Sequence, residues 1–245
     1  MIKIRIIGLM FLIGCCISCN KPTAPDCFKQ AGTVIIEQRN TEPFHSVSLD
    51  GNLEVVLKKG TEHKVEIKGP ANLLKKITTT VNSGTLTIDN NNGCNFVRGY
   101  KHHLLITVTS PRYDYVVTNS IGTIRTSDDF LQDSFYVRSE GGDIILNGNY
   151  VNLRTSSHGN GNVYFKGKTD QMFVYMNGTN YLYAEEGTVT SYLYVGNISL
   201  ANAYVTAPSG GTLDYNISKS GNIYYSGSPA SVQGKSDGTG ALIKK

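Results

Sequence analysis

The stretch SEGGDIILNGNYVNLRTSSHGNG, Ser139–Gly161, starts and ends on a glycine corner and carries short apolar runs between. The same corner returns on either side: Asn119-Ser-Ile-Gly, Ser139-Glu-Gly-Gly, Ser157-His-Gly-Asn-Gly, Met176-Asn-Gly-Thr, Val195-Gly-Asn, Ser218-Lys-Ser-Gly and Ser236-Asp-Gly-Thr-Gly. From Asn119 to Ser236 is 117 residues in six steps, a mean of 19.5. A fixed period of this length, built of strand-like runs with no helical stretch, indicates a stacked solenoid. The expected fold is therefore all-β, a parallel β-helix or β-solenoid with coils of about 20 residues. Such a fold offers long flat faces and requires no active-site cleft.

The apolar residues predict which side chains stack. Before the corners the files are Tyr115/Val117, Phe135/Val137, Val151/Leu153, Met172/Val174, Leu193/Val195 and Leu213/Tyr215. After them come Ile124, Ile144/Leu146, Val163/Phe165, Leu182/Ala184, Leu200, Ile223/Tyr225 and Leu242. The residues between them should face solvent, because successive side chains on a strand point to opposite sides. The earlier part, residues 33–118, reads as strand after strand. Leu53/Val55/Leu57, Val65/Ile67, Leu86/Ile88 and Leu104/Ile106/Val108 alternate with polar residues between turn signals. One helical turn fits Ala71–Ile77. The terminal Lys244-Lys245 reads as a charged stop on a sheet edge.

Phe44-His-Ser-Val-Ser-Leu-Asp-Gly-Asn-Leu-Glu-Val-Val-Leu-Lys-Lys-Gly, followed by Val65-Glu-Ile-Lys-Gly, Gly84-Thr-Leu-Thr-Ile and Leu105-Ile-Thr-Val-Thr-Ser-Pro, resembles the opening of the head GIN domain family. The likeness runs from about Thr33 to the C-terminus. It implies a β-solenoid related to pectin-lyase-like helices, exported or lipid-anchored in Bacteroidetes-type bacteria. It also implies an adhesin-like role without assigned catalytic residues. The corner Val195-Gly196-Asn197-Ile198 departs from the family pattern, which puts the regularity of that coil in question.

The chain has 245 residues. Residues 1–18 read as an export signal: Lys3 and Arg5 precede an apolar run too short to span a bilayer. Its end resembles a lipoprotein signal, with Cys19 as the acylated residue and Cys15 as the alternative. Residues 19–32, with Pro22 and Pro25, read as a tether to a domain spanning 33–245, its strand section at 33–118 and its glycine-turn repeats at 119–245. The expected location is the cell envelope, lipid-anchored at the outer membrane. If Cys19 carries lipid, Cys27 and Cys94 remain, and in an exported chain they are expected to form one disulfide closing a 67-residue loop, with two free thiols as the alternative. In the chain-entropy model such a bridge contributes on the order of 4 kcal/mol.

A net charge of +4, spread over scattered lysine pairs, gives no nucleic-acid footprint. Asp128-Asp129 with His158 faintly resembles part of a polygalacturonase set, but the Asn-Thr-Asp and Arg-x-Lys pieces are missing. Glu185-Glu186 reads as a solvated corner. His102-His103 would point to opposite faces of a strand. No catalytic site, metal or cofactor is expected. The stronger signal is aromatic, since twelve of fifteen tyrosines lie at or beyond Tyr136. The spacing predicts an outward file of Tyr136, Asn152, Phe173 and Tyr192 beside one of Arg138, Arg154, Tyr175 and Tyr194. Tyr164, Tyr181, Tyr183 and Tyr224 are further outward candidates. Rings beside arginine stack on sugars or serve protein contacts, and they also form cross-strand ladders. The function expected is non-catalytic, adhesin-like binding of a glycan or surface-protein ligand through Tyr136, Arg138, Arg154, Phe173, Tyr175, Tyr192 and Tyr194. The alternative is an envelope structural protein, self-associating as a homo-oligomer through the same face. A degenerate polysaccharide lyase or hydrolase is the third reading.

Overall fold

The computed structural model describes residues 30–93 and 103–245. Cys15, Cys19, Cys27, Cys94 and His102 lie outside them. The first strands are β1 (Val34–Asn40), β2 (Ser46–Asp50), β3 (Glu54–Lys59), β4 (Lys64–Pro70), the helical turn α1 (Ala71–Leu74), β5 (Ile77–Asn82), β6 (Thr85–Asn90), β7 (Leu105–Ser110), β8 (Tyr115–Thr118) and β9 (Thr123–Thr126). The repeats supply long strands β10 (Leu131–Ser139), β12 (Asn149–Gly159), β14 (Lys168–Gly178), β16 (Thr188–Ser199), β18 (Thr212–Ile217) and β20 (Ser231–Ser236). Short strands alternate with them: β11 (Ile144–Leu146), β13 (Val163–Phe165), β15 (Leu182–Ala184), β17 (Ala203–Thr206), β19 (Ile223–Ser226) and β21 (Leu242–Lys244). Long strands stack into a ten-stranded sheet and short ones into an eleven-stranded sheet, parallel throughout the repeats. The chain is the β-solenoid that the glycine period predicts.

One core runs between the sheets. Phe135, Leu153, Met172, Leu193 and Leu213 form an inward column on one side. Ile124, Ile144, Val163, Leu182, Ala203 and Ile223 form the facing column. Each such large apolar side chain contributes about 1.5–3 kcal/mol by leaving water. At the first end, α1 buries Leu73 and Leu74, and Arg39 of β1 donates to the carbonyls of Ile77 and Leu74. β4 pairs antiparallel with β1 and β7, and β5 antiparallel with β6, so this end is closed by strands running against the repeat.

The N-terminal coils do not stack in chain order. The β2–β3 coil lies between β6–β7 and β8–β9, its strands paired in parallel on both sides. The chain then crosses from β7 to β8 through Tyr113, which is fully buried and reaches the carbonyls of Val108 (2.8 Å) and Lys58 (3.0 Å) through its hydroxyl. Burial holds that phenol far above its ordinary pKa.

Strict alternation fails where each long strand bends. Gln132, Tyr150, Thr169 and Val189 point inward, and at least two outward residues follow before the next inward one. Val151 therefore faces out, 47% exposed, and Thr155 takes the inward place between Val137 and Val174. The predicted files shift with it. The outward column is Tyr115–Tyr136–Arg154–Phe173–Tyr194–Asp214, and Ser134–Asn152–Gln171–Tyr192 runs beside it. Leu200 is likewise outside, 59% exposed, because β16 continues to Ser199 and Ala203 fills the core. Val195-Gly196-Asn197-Ile198 is strand rather than corner, so that coil is regular in stacking although longer by a register shift.

The corners depend on close backbone approach. A Cβ on Gly142 would stand 1.7 Å from the Gly122 carbonyl oxygen, whereas one on Gly141 next to it meets nothing nearer than 3.8 Å. Gly142→Ala should therefore cost about 1–3 kcal/mol through overpacking. Gly141→Ala should leave the melting temperature within a degree or two, and thermal denaturation of the pair measures the difference. Thr155 Oγ1 is buried without a partner among the described residues. Replacing Thr155 by Val keeps the shape and removes an unsatisfied hydroxyl, so it should stabilise by about 1 kcal/mol in the same assay.

Candidate functional site

Two outward faces carry the aromatic residues, and they differ in kind. On the eleven-stranded sheet Tyr164, Tyr183, Tyr204 and Tyr224 are directly stacked neighbours in successive coils. Their ring centroids are 5.2, 5.7 and 5.3 Å apart and their planes lie within 16° of parallel. Tyr181 stacks on Tyr183 at 5.8 Å. The Nδ2 groups of Asn162, Asn202 and Asn222 donate to the hydroxyls of Tyr164, Tyr204 and Tyr224. Their Oδ1 atoms accept from the backbone of the following coil. The Lys245 ammonium lies 4.7 Å from the Tyr204 ring centroid and 2.7 Å from Glu185 Oε1. The terminal lysine thus folds back on this face instead of guarding the edge. These rings stack on one another and form a stiffening ladder, with a recess of about 310 Å³ beside Tyr164 and Tyr183 edged by Lys166, Glu185 and Glu186. Tyr204 escaped the sequence reading, although Asn-x-Tyr at Asn162, Asn202 and Asn222 marks it.

On the ten-stranded sheet the column is mixed. Tyr115 and Tyr136 pack at 4.9 Å, Phe173 and Tyr192 at 5.4 Å, and Tyr175 and Tyr194 at 5.3 Å, all tilted by 41–50°. Tyr175 is in register with Gly196. A Cβ on Gly196 would come within 3.1 Å of the Tyr194 ring, so this glycine leaves room for both phenols to meet diagonally. Arg138 pairs with Glu140 at 2.5 Å, which holds its pKa above the ordinary value. Tyr192 donates to Asp214 at 2.7 Å; burial first, then that bond and charge, push its pKa up to about 12.

Between Tyr136 and Phe173 the column holds Arg154 in place of a ring. Its guanidinium carbon lies 5.9 Å from the Tyr136 centroid and 5.5 Å from that of Phe173. The interruption opens a recess of about 430 Å³, floored by Phe135 and Leu153 and edged by Asp114, Ser134, Asn152 and Gln171. A second recess of about 560 Å³ adjoins it, sharing Asp114 and Ser134 and reaching Lys59 and Asp133. The Tyr113 crossover sets Asp114 at this junction, where it pairs with Arg112 and with His45 at 3.1 Å. Lys59 donates to Gln132 at 2.7 Å, and burial lowers its pKa. Of the seven residues expected to form the face, Tyr136, Arg154 and Phe173 line the recess; Arg138, Tyr175, Tyr192 and Tyr194 stand outward beyond it. Asp114, Ser134 and Gln171 were not singled out from sequence. The only signal for them is that they are polar at outward positions next to a bend or crossover.

Asp128-Asp129 and His158 do not meet. The acids precede β10, a nine-residue strand, and His158 lies at the far end of its neighbour β12. Asp128 accepts from Asn147 at 2.7 Å, and His158 contacts Ser156 at 3.0 Å. Glu186 pairs with Lys166 at 3.0 Å. Among the described residues no three His, Cys, Asp or Glu side chains cluster as metal ligands.

Solved structures share this architecture. A "putative adhesin" from Bacteroides fragilis superposes with a TM-score of 0.75 at 18% identity, covering 87% of this chain and 97% of its own. A "putative lipid binding protein" from Parabacteroides distasonis gives 0.64 at 17% identity, with 87% and 97% covered. A "putative adhesin" from Parabacteroides merdae gives 0.58 at 18% identity, with 88% and 98% covered. At these identities the likeness is one of fold. No curated protein matches the sequence. The family profile described as "Putative auto-transporter adhesin, head GIN domain" matches residues 43–229, and the chain belongs to that family.

Proposed function

We propose that the protein is an exported, lipid-anchored binding protein of the cell envelope that takes carbohydrate, without cleaving it, in the recess around Arg154. One observation carries this reading: two aromatic walls, two planar amides, a hydroxyl and a guanidinium converge on one groove of about 430 Å³ on a rigid sheet. Rings stack on the apolar faces of sugars, amides match sugar hydroxyls, and a few hundred Å³ is the usual scale of a ligand site. The Asn152 and Gln171 side chains make no hydrogen bond among the described residues, in contrast to Gln132, Asn147, Asn162 and Asn180, whose amides are engaged within the fold. The adhesin names of the family and of two structural neighbours agree with a binding role. The leader ending at Cys19, or alternatively Cys15, supports a lipid anchor at the outer membrane.

The self-association reading draws on a different observation. All six residues of β20 are exposed, and Val232 at that end is 44% exposed, so a sheet edge is open there. Concentration-dependent light scattering separates the two: a monomer across the range removes self-association.

A glycan array tests carbohydrate binding. The wild type should retain a subset of glycans, Tyr136→Ala/Phe173→Ala should lose them by at least about tenfold, and Tyr164→Ala/Tyr204→Ala on the opposite sheet should keep them. Equal binding by the first variant, or no glycan bound by the wild type, refutes the assignment. For the anchor, Cys19→Ser should move the protein from the membrane fraction to the soluble one, with Cys15→Ser as the comparison.

A further inference from the structure

We infer that the recess selects acidic sugars, with the carboxylate of a charged pyranose seated on Arg154; this rests on the carbohydrate reading above. Five arginines lie among the described residues. Arg39, Arg112, Arg125 and Arg138 each pair with a carboxylate: Glu37, Asp114, Glu54 and Glu140. Arg154 makes no such pair and donates no hydrogen bond among the described residues; its recorded partners are the two rings that flank it. The rings flank the guanidinium at 5.9 and 5.5 Å, and no acceptor among the described residues takes its N–H groups. The N–H edge of a guanidinium is the part that grips a carboxylate through two parallel hydrogen bonds.

The rest of the recess does not neutralise this charge. Asp114, its own acid, is held by Arg112 and His45. Asp133, in the adjoining recess, acts on the Lys59 ammonium. Asp170, one residue before Gln171, is occupied by the hydroxyls of Thr190 and Ser191, which keep its pKa low. The unspent charge in the groove is therefore positive, carried by the exposed Arg154 side chain between Tyr136 and Phe173. The amides of Asn152 and Gln171, without a partner among the described residues, are neighbours in the adjoining column, two residues before Arg154 and Phe173 on their strands, where they can meet sugar hydroxyls. A neutral sugar would use the rings and amides and leave the guanidinium unpaired. A uronic acid or a terminal sialic acid would use all three.

The test is calorimetric titration of the mature domain with galacturonic acid oligomers, sialyllactose, galactose oligomers and lactose. At least one acidic ligand should bind roughly ten- to a hundredfold tighter than its neutral counterpart, and added salt should narrow that gap. Arg154→Gln should weaken the acidic ligand by most of that ten- to a hundredfold and so bring it close to its neutral counterpart, whichever way neutral binding itself moves. Arg154→Lys should restore only part of the acidic preference, since an ammonium cannot make the paired contact. Which acid wins distinguishes a polyuronate from a sialylated glycan. Acidic and neutral sugars bound equally by the wild type, or a preference that survives Arg154→Gln, would overturn the inference and leave carbohydrate binding standing. No binding of any sugar would overturn both. A shared melting temperature for wild type and variants guards against misfolding as the cause.

Discussion

Backbone contact between successive coils at the corners is the constraint on which everything else in this molecule rests. Coils of a parallel solenoid lie about 4.8 Å apart because their strands exchange hydrogen bonds. At Gly142 and Gly161 the Cα sits against the carbonyl of the coil beneath, where a side chain would stand at 1.7 and 2.0 Å from oxygen. Small residues at those points let the whole coil descend to hydrogen-bonding distance. Once it does, every outward side chain acquires a fixed neighbour above and below. The surface chemistry is thus a consequence of corner sterics: which groups meet on the flat faces is decided by register.

This explains what the sequence made legible. The period, the all-β class and most inward columns followed from Gly, Asn and alternating apolar residues, because each of those signals is local. The single turn at Ala71–Leu74 was legible for the same reason. Three features were not. The bend in each long strand places outward residues in succession, so counting by twos from Leu153 puts Val151 inside and displaces Arg154 by one column. Gly196 looks like a corner but is a strand residue whose missing side chain accommodates two phenols. The insertion of the β2–β3 coil between later coils is a choice among free sheet edges, and no local pattern encodes it.

The displaced column matters most for the candidate site. Counting alone sets Arg154 beside Arg138 and Tyr175, where it would be one more surface charge. True register sets it between Tyr136 and Phe173. The aromatic content of the face was readable; the sandwich that gives the arginine its particular environment was not. Asp114 was harder still, since it reaches the groove only through the Tyr113 crossover that skips a coil.

The two faces show how a repeat divides structure from recognition. Where the outward residue is the same in successive coils, as in Tyr164, Tyr183, Tyr204 and Tyr224, the side chains stack on one another into a continuous ladder. Identical neighbours leave little for a ligand to do. Where the repeat is broken, as by Arg154 among rings, the neighbours cannot fill the space between them, and the charge has no partner within the column. A solenoid has no cleft to spare, so departures from its own periodicity are the natural places for it to acquire one. In this chain the departure combines aromatic walls with a cation and two amides that have no hydrogen-bond partner among the described residues, on a scaffold held by the columns on either side.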